Sequence, residues 1–240
     1  MFFRLIPFLA ATVGFAMAEV PSYIPVCGLR NPNLDKCLVN SMTAVTDKLS
    51  HGIPELDLPP IEPLNIGRLV LTDLPNFKAV GSDVKIKGLT TYHVNFLHHD
   101  VEKQEITMNL TFPKLAIDGS FNITTRILFP IEATGNLTLT ARNVNYQLSL
   151  TYVVTNRGGK RPFYYSSLNV KMYIPDYDVK FRGQQKSLDD AIEMTINNNK
   201  KELLDASTEN MDKAFSKTYL EIMNNFVKHF TYDDLLPDRE

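Results

Sequence analysis

Residues 187–230 read SLDDAIEMTINNNKKELLDASTENMDKAFSKTYLEIMNNFVKHF, with no glycine or proline to interrupt them. Leu188, Ile192, Ile196, Leu203, Met211, Phe215, Ile222, Phe226 and Phe230 recur on one helical face. Ser187 reads as an N-cap, and Asp189 and Asp190 place negative charge in the first turn, where the helix dipole favours it. Unbroken, such a helix would run about 66 Å, whereas a compact sphere of this mass is about 45 Å across. The spacing therefore predicts an elongated body with a bend, and the weak helix formers Asn197, Asn198 and Asn199 mark where the bend falls.

A long helix with an apolar face needs a sheath, and the stretch before it supplies one. From Gly67 to Arg182, β-branched and aromatic residues alternate with polar ones. Val84 and Ile86 alternate with Lys85 and Lys87; Tyr92, Val94 and Phe96 with His93 and Asn95. Ile106, Met108, Leu110 and Phe112 share a face, as do Phe121, Ile123 and Ile127, and Leu137, Leu139 and Ala141. Tyr146, Leu148, Leu150, Tyr152 and Val154 follow, then a hairpin signal at Asn156-Arg157-Gly158-Gly159, then Leu168, Val170, Met172 and Ile174. These are strands of an antiparallel sheet with one face buried and one wet. Three N-glycosylation sequons begin at Asn109, Asn122 and Asn136, and each asparagine falls on the polar face, which marks that face as the outside. The expected fold is α+β: a highly curved antiparallel sheet wrapped around one long C-terminal helix, with a short N-terminal helix.

That shorter helix begins after Asn33, where Leu34, Cys37, Leu38, Met42, Val45 and Leu49 form an apolar stripe that Gly52 closes. A connector follows, too rich in proline between Pro54 and Pro63 to be helical. Upstream, Arg4, the apolar run Leu5 to Phe15 and the small-x-small motif Ala16-Met17-Ala18 predict a cleaved signal peptide over residues 1–18 and a single domain over 19–240. In an oxidising compartment the two cysteines, Cys27 and Cys37, read as a disulfide, worth about 3 kcal/mol in the chain-entropy account. The formal charge of −2 becomes one unit more negative once Arg4 is removed, so charge alone draws neither nucleic acid nor an anionic bilayer.

Several segments carry a resemblance. Cys27 to Cys37, Gly52-Ile53-Pro54-Glu55-Leu56 and Pro60-Ile61-Glu62-Pro63-Leu64 are similar to the insect takeout and haemolymph juvenile-hormone-binding family. So are Val84-Lys85-Ile86-Lys87-Gly88-Leu89, Leu115-Ala116-Ile117-Asp118-Gly119, Phe129 to Leu137 (with Ala133 where the family has glycine) and Phe226 to Pro237. The resemblance implies a tubular lipid-binding fold and a secreted carrier of juvenile hormone or another hydrophobic signal, working in haemolymph or chemosensory fluid. The haemolymph hormone carriers usually hold a second cysteine pair; with one pair, this chain resembles the takeout branch more, which turns the expectation away from juvenile hormone itself.

The sequence thus predicts a non-catalytic carrier whose apolar tunnel is left partly unfilled by its own side chains and takes a terpenoid or fatty-acid-like guest. Candidate wall residues are Tyr92, Val94, Phe96, Ile106, Met108, Leu110, Phe121, Ile123, Tyr146, Leu148, Leu150 and Tyr152 from the sheet and Phe215, Ile222 and Phe226 from the helix. Tyr146, Tyr152 or Tyr219 would hold the guest's polar group. No cofactor, metal, nucleic acid or stable membrane insertion is expected: His93, His98 and His99 form the only histidine cluster, and adjacent strand residues point to opposite faces. An esterase would need an armed nucleophile, and no Gly-x-Ser-x-Gly elbow is present. Two rival readings are a lipid-transfer or membrane-contact module, with Arg157, Lys160 and Arg161 at its hairpin tip, and a purely structural secreted glycoprotein.

Overall fold

The computed structural model describes residues 20–126 and 130–240. The expected signal peptide, Ile127 and Phe129 lie outside the described residues.

Among the described residues seven antiparallel strands form one sheet: β1 (Leu64–Leu74), β2 (Phe77–Lys87), β3 (His93–Asp100), β4 (Glu105–Arg126), β5 (Pro130–Val154), β6 (Phe163–Tyr173) and β7 (Asp176–Arg182). The long hairpin of β4 and β5 is its spine, and each of these strands meets two successive partners along its outer edge. Near the hairpin, β4 pairs with β2 and β5 with β7; farther along, β4 pairs with β3 and β5 with β6. The sheet thus has a far half (β1, β2, β7 and the adjoining parts of the spine) and a near half (β3, β6 and the rest).

The two halves turn relative to one another at a joint visible in side-chain parity. In the near half the inward residues of the spine are even-numbered: Leu110, Phe112, Val144, Tyr146, Leu148, Leu150 and Tyr152. In the far half they are odd-numbered: Leu115, Ile117, Phe121, Ile123, Leu137, Leu139 and Ala141. The switch falls where Pro113, which has no N–H to donate, lies across from Asn143, whose φ of 51° is left-handed. The same face of the chain therefore stays inside as the ribbon coils.

Among the described residues four α-helices accompany the sheet: α1 (Leu34–His51), α2 (Lys186–Asn198), α3 (Lys200–Val227) and the short α4 (Tyr232–Leu235). The C-terminal helix breaks at Asn199, at the asparagine run expected to bend it. Its start differs slightly: helix begins at Lys186 with Gln185 in the capping position, and Asp189 turns inward to accept the Gly183 N–H at 2.9 Å. α2 lies on β7, α3 lies on both β6 and β1, and α1 lies on β3. No described helix is long and apolar enough to cross a membrane.

Two segments that carried the resemblance meet here. The Glu62 carboxylate, in the proline-rich connector, accepts the Gly88 N–H at 2.8 and 2.9 Å, pinning the connector to the end of β2. Gly88 itself has a φ of 93°, and a Cβ there would lie 2.2 Å from the Lys114 carbonyl, so only glycine fits. Cys27 and Cys37 form the expected disulfide and fasten the N-terminal arm to the first turn of α1.

The candidate ligand interior

A curved sheet that does not close on itself leaves edge strands with unpaired backbone groups, and in this molecule α3 covers two of them, β6 and β1. On β6 the seal is dense. Asn224 accepts the Tyr165 N–H at 2.8 Å and donates to the Tyr165 carbonyl at 2.9 Å; Ser216 accepts the Val170 N–H at 2.9 Å; Asp212 accepts the Met172 N–H at 3.0 Å. Burial pushes the Asp212 carboxyl above the usual carboxylate range, against the opposing pull of the Met172 N–H and the Lys171 charge. On β1 the polar bond from α3 is a single long one, Asn210 Nδ2 to the Leu71 carbonyl at 3.5 Å. Glu193 of α2 does the same service for β7, accepting the Phe181 N–H at 2.7 Å.

The interior between sheet and helices differs between the halves. In the near half Phe112 and Tyr146 pack at 4.7 Å between ring centroids, Tyr146 and Phe215 stack at 6.4 Å, and Phe215 and Tyr219 stack at 6.0 Å. Leu110, Leu148 and Leu150 are buried around these rings, with Ile106 and Met108 half-buried beside them. The elongated open lumen expected from the sequence is here filled by the protein's own aromatic side chains. In the far half an apolar cavity of about 40 Å³ remains, lined among others by Leu137, Leu139, Val179, Ile196 and Met211. That is room for a few waters at most.

The wall residues expected from the sequence lie elsewhere, and none of them lines this cavity. Phe121 and Ile123 are buried in the far half but pack into its core. Tyr92 is half-buried at the mouth of the near half, its hydroxyl 2.8 Å from Thr46 of α1, and Val94 is half-buried beside it. Ile222 and Phe226 are half-buried and pack with Ile24, Ile53, Leu56, Leu58 and Phe230; Ile222 also packs against the main sheet core and Phe226 against the cluster of Tyr152 and Phe163.

Phe96 corrects the sequence reading. It is 54% exposed, because a register shift between Val94 and Phe96 in β3 turns every later residue over. Leu97 and His99 take the inward positions, and Phe96 lies outside next to His98. His99 is the functional-looking residue that strand alternation alone missed. Its Nε2 is 2.8 Å from the Tyr152 hydroxyl, which is 3.2 Å from that of Tyr232, and Asp35 of α1 accepts the His99 backbone N–H at 2.9 Å. Burial pushes its pKa below the ordinary imidazole value, although the nearby Asp35 charge works the other way.

Of the three tyrosines expected to anchor a guest, Tyr152 is thus engaged by His99 and Tyr232. Tyr146 and Tyr219 lie in the aromatic stack, and burial pushes both phenols well above their ordinary value. The Tyr219 hydroxyl is buried with no hydrogen-bond partner among the described residues. On the outer face Asn122 and Asn136 are exposed, whereas Asn109 is half-buried in a polar ladder, accepting from Asn95 at 2.6 Å and donating to Asn145 at 3.0 Å.

This arrangement matches a known family. The family model described as haemolymph juvenile hormone binding protein (JHBP) matches residues 6–237. The chain belongs to that family. Takeout 1 of Epiphyas postvittana, a solved structure, superposes on this JHBP-family chain with a TM-score of 0.75 at 18% identity, covering 89% of this chain and 99% of the other. At that identity the likeness shows the fold: the curled antiparallel sheet with a long helix against its inner face. A lipopolysaccharide binding protein structure aligns more distantly, with a TM-score of 0.37 at 14% identity over 79% of this chain and 40% of the other. No curated protein sequence matches the chain.

Proposed function

We propose that this protein is a secreted, non-catalytic carrier that takes one small hydrophobic molecule, terpenoid or fatty-acid-like, into the space between its sheet and α3. Membership of the JHBP family supports a hydrophobic guest in general. The observation that carries the reading is the unequal seal of the helix. α3 holds the β6 edge by several short hydrogen bonds and the β1 edge by one of 3.5 Å, so the enclosure has a hinge side and an opening side.

Opening is needed. Sites for drug-sized guests span about 300–1,000 Å³, far beyond the cavity of about 40 Å³. A guest therefore enters by displacing α3 from β1 and by rearranging flexible lining groups such as Met211 and Leu204, then extends toward Phe215, Tyr219, Tyr146 and the other inward residues of the near half. Burying a chain of roughly 350 Å² yields on the order of 9 kcal/mol gross. Association and rearrangement oppose this by about 4 kcal/mol or more, which places affinity near the micromolar range. The signal peptide over residues 1–18, cleavage before a single domain over 19–240, and glycans at Asn122 and Asn136 on the outer face belong to the same reading.

The test is displacement of N-phenyl-1-naphthylamine from the delipidated chain by apolar competitors. Saturable one-to-one displacement with micromolar constants is expected. If no apolar competitor displaces the probe, the carrier reading fails. Flotation with phosphatidylcholine liposomes separates the rival: a carrier extracts guest and stays in the soluble fraction, whereas a membrane-contact module floats with the vesicles.

A further inference from the structure

We propose that Thr72 is the seat for an uncharged polar head of the guest, so that the protein selects neutral alcohols, esters, ketones or ethers over ionised acids. The inference rests on the carrier reading and assigns the polar end of that same guest. Thr72 lies in β1 at a register shift between Val70 and Thr72, where a bulge turns both Leu71 and Thr72 against the interior instead of one of them. Both line the cavity of the far half. Thr72 is 2% exposed, and its Oγ1 has no hydrogen-bond partner among the described residues. A buried hydroxyl without a partner is costly and rare.

The neighbouring hydroxyls are already committed as donors. Ser207 Oγ donates to the Leu203 carbonyl, and the Tyr177 hydroxyl donates to the Lys200 carbonyl at 2.8 Å. The Thr72 O–H is therefore the free donor of the cavity wall, and its oxygen can also accept. Among the described residues that line the cavity there is no lysine, arginine or histidine. Lys200, the nearest cation across the Tyr177 ring, sits 5.4 Å from that ring and within 3.7 and 3.6 Å of Asp176 and Asp178. An ionised carboxylate would enter this wall without a counter-charge, whereas a neutral oxygen meets a waiting O–H. The cavity's volume of about 40 Å³ suits a head group, with the hydrocarbon following along the seam between α3 and β1. Thr72 also sits next to Leu71, whose carbonyl takes the one polar bond from α3 to β1, so the seat lies at the opening side.

The experiment compares the chain with Thr72→Val, which keeps the shape and removes the hydroxyl, and with Thr72→Ser, which keeps the hydroxyl. Each is titrated with 1-dodecanol, dodecane and dodecanoate at pH 8 in displacement of N-phenyl-1-naphthylamine. The unaltered chain should prefer dodecanol over both others by about five- to tenfold. Thr72→Val should lose about that factor for dodecanol and nothing for dodecane, with a melting temperature equal or higher in the absence of guest. Thr72→Ser should retain the preference, and Thr72→Ala should repeat the loss if the valine variant folds poorly. Dodecanol preference intact in the valine and alanine variants overturns the proposal, and a lowered melting temperature alongside it identifies a niche for water only. Tightest binding of dodecanoate by the unaltered chain overturns it equally. If none of the three displaces the probe from the unaltered chain, the carrier reading itself has failed, and that outcome is distinct from the others.

Discussion

The near and far halves of the sheet share one spine and one helix yet solve the interior differently. In the near half, aromatic rings from β4, β5 and α3 stack through the middle, and α3 is bonded to the edge of β6 at three successive places. In the far half the lining is mostly aliphatic, a cavity of about 40 Å³ remains, and α3 meets the edge of β1 through a single long hydrogen bond. The difference teaches that one helix serves two purposes. It is held by several short hydrogen bonds on the β6 side and by one long one on the β1 side, which the proposed carrier reading takes as its opening.

The largest expected effect comes from emptying the filled half. Phe215→Ala removes the centre of the aromatic stack and should cost about 3–5 kcal/mol in denaturant unfolding. Leu139→Ala, whose side chain already borders a void, should fall near the low end of its class, about 2 kcal/mol. Equal losses would mean that the halves are packed alike. Overfilling sharpens the contrast: Val170→Leu on β6 should cost about 1–3 kcal/mol, whereas Ala79→Val, facing the cavity, should be neutral or stabilising and should weaken probe binding.

The two seams respond in the same order. Asp212→Ala strands the buried Met172 N–H and should cost about 1–3 kcal/mol, while Asn210→Ala should change stability by less than about 0.5 kcal/mol. Hydrogen exchange should accordingly show the β6 edge protected and the β1 edge opening sooner.

The smallest effect is a pH dependence at the near end. Burial holds His99 below its ordinary value, so the unfolded chain binds the proton more readily than the folded one. Its contribution to stability is therefore complete above about pH 6.5 and declines as pH falls toward the folded value. Melting temperature should drop between pH 7 and 5, and His99→Gln should flatten that slope; an unchanged slope in the variant would assign it to other groups.

Much of this was legible in the sequence. The break at Asn199 follows from three adjacent weak helix formers, and the inward faces within each strand segment follow from alternation. What escaped were single-residue register shifts. The bulge in β3 moves Phe96 outside and brings Leu97 and His99 in, and the one in β1 places Leu71 and Thr72 on the same side. A bulge changes pairing without changing composition, so alternation carries no trace of it. The filling of the near half escaped for another reason: periodicity tells which residues face inward, but not whether their volumes meet across the space.

A carrier of this kind needs a guest that completes its interior. Native mass spectrometry of the protein purified from its own source, followed by organic extraction, measures this directly. The expected result is one apolar molecule per chain, lost on delipidation and regained on exposure to a neutral amphiphile. A chain that is isolated with no bound small molecule and regains nothing when offered such a molecule would contradict it.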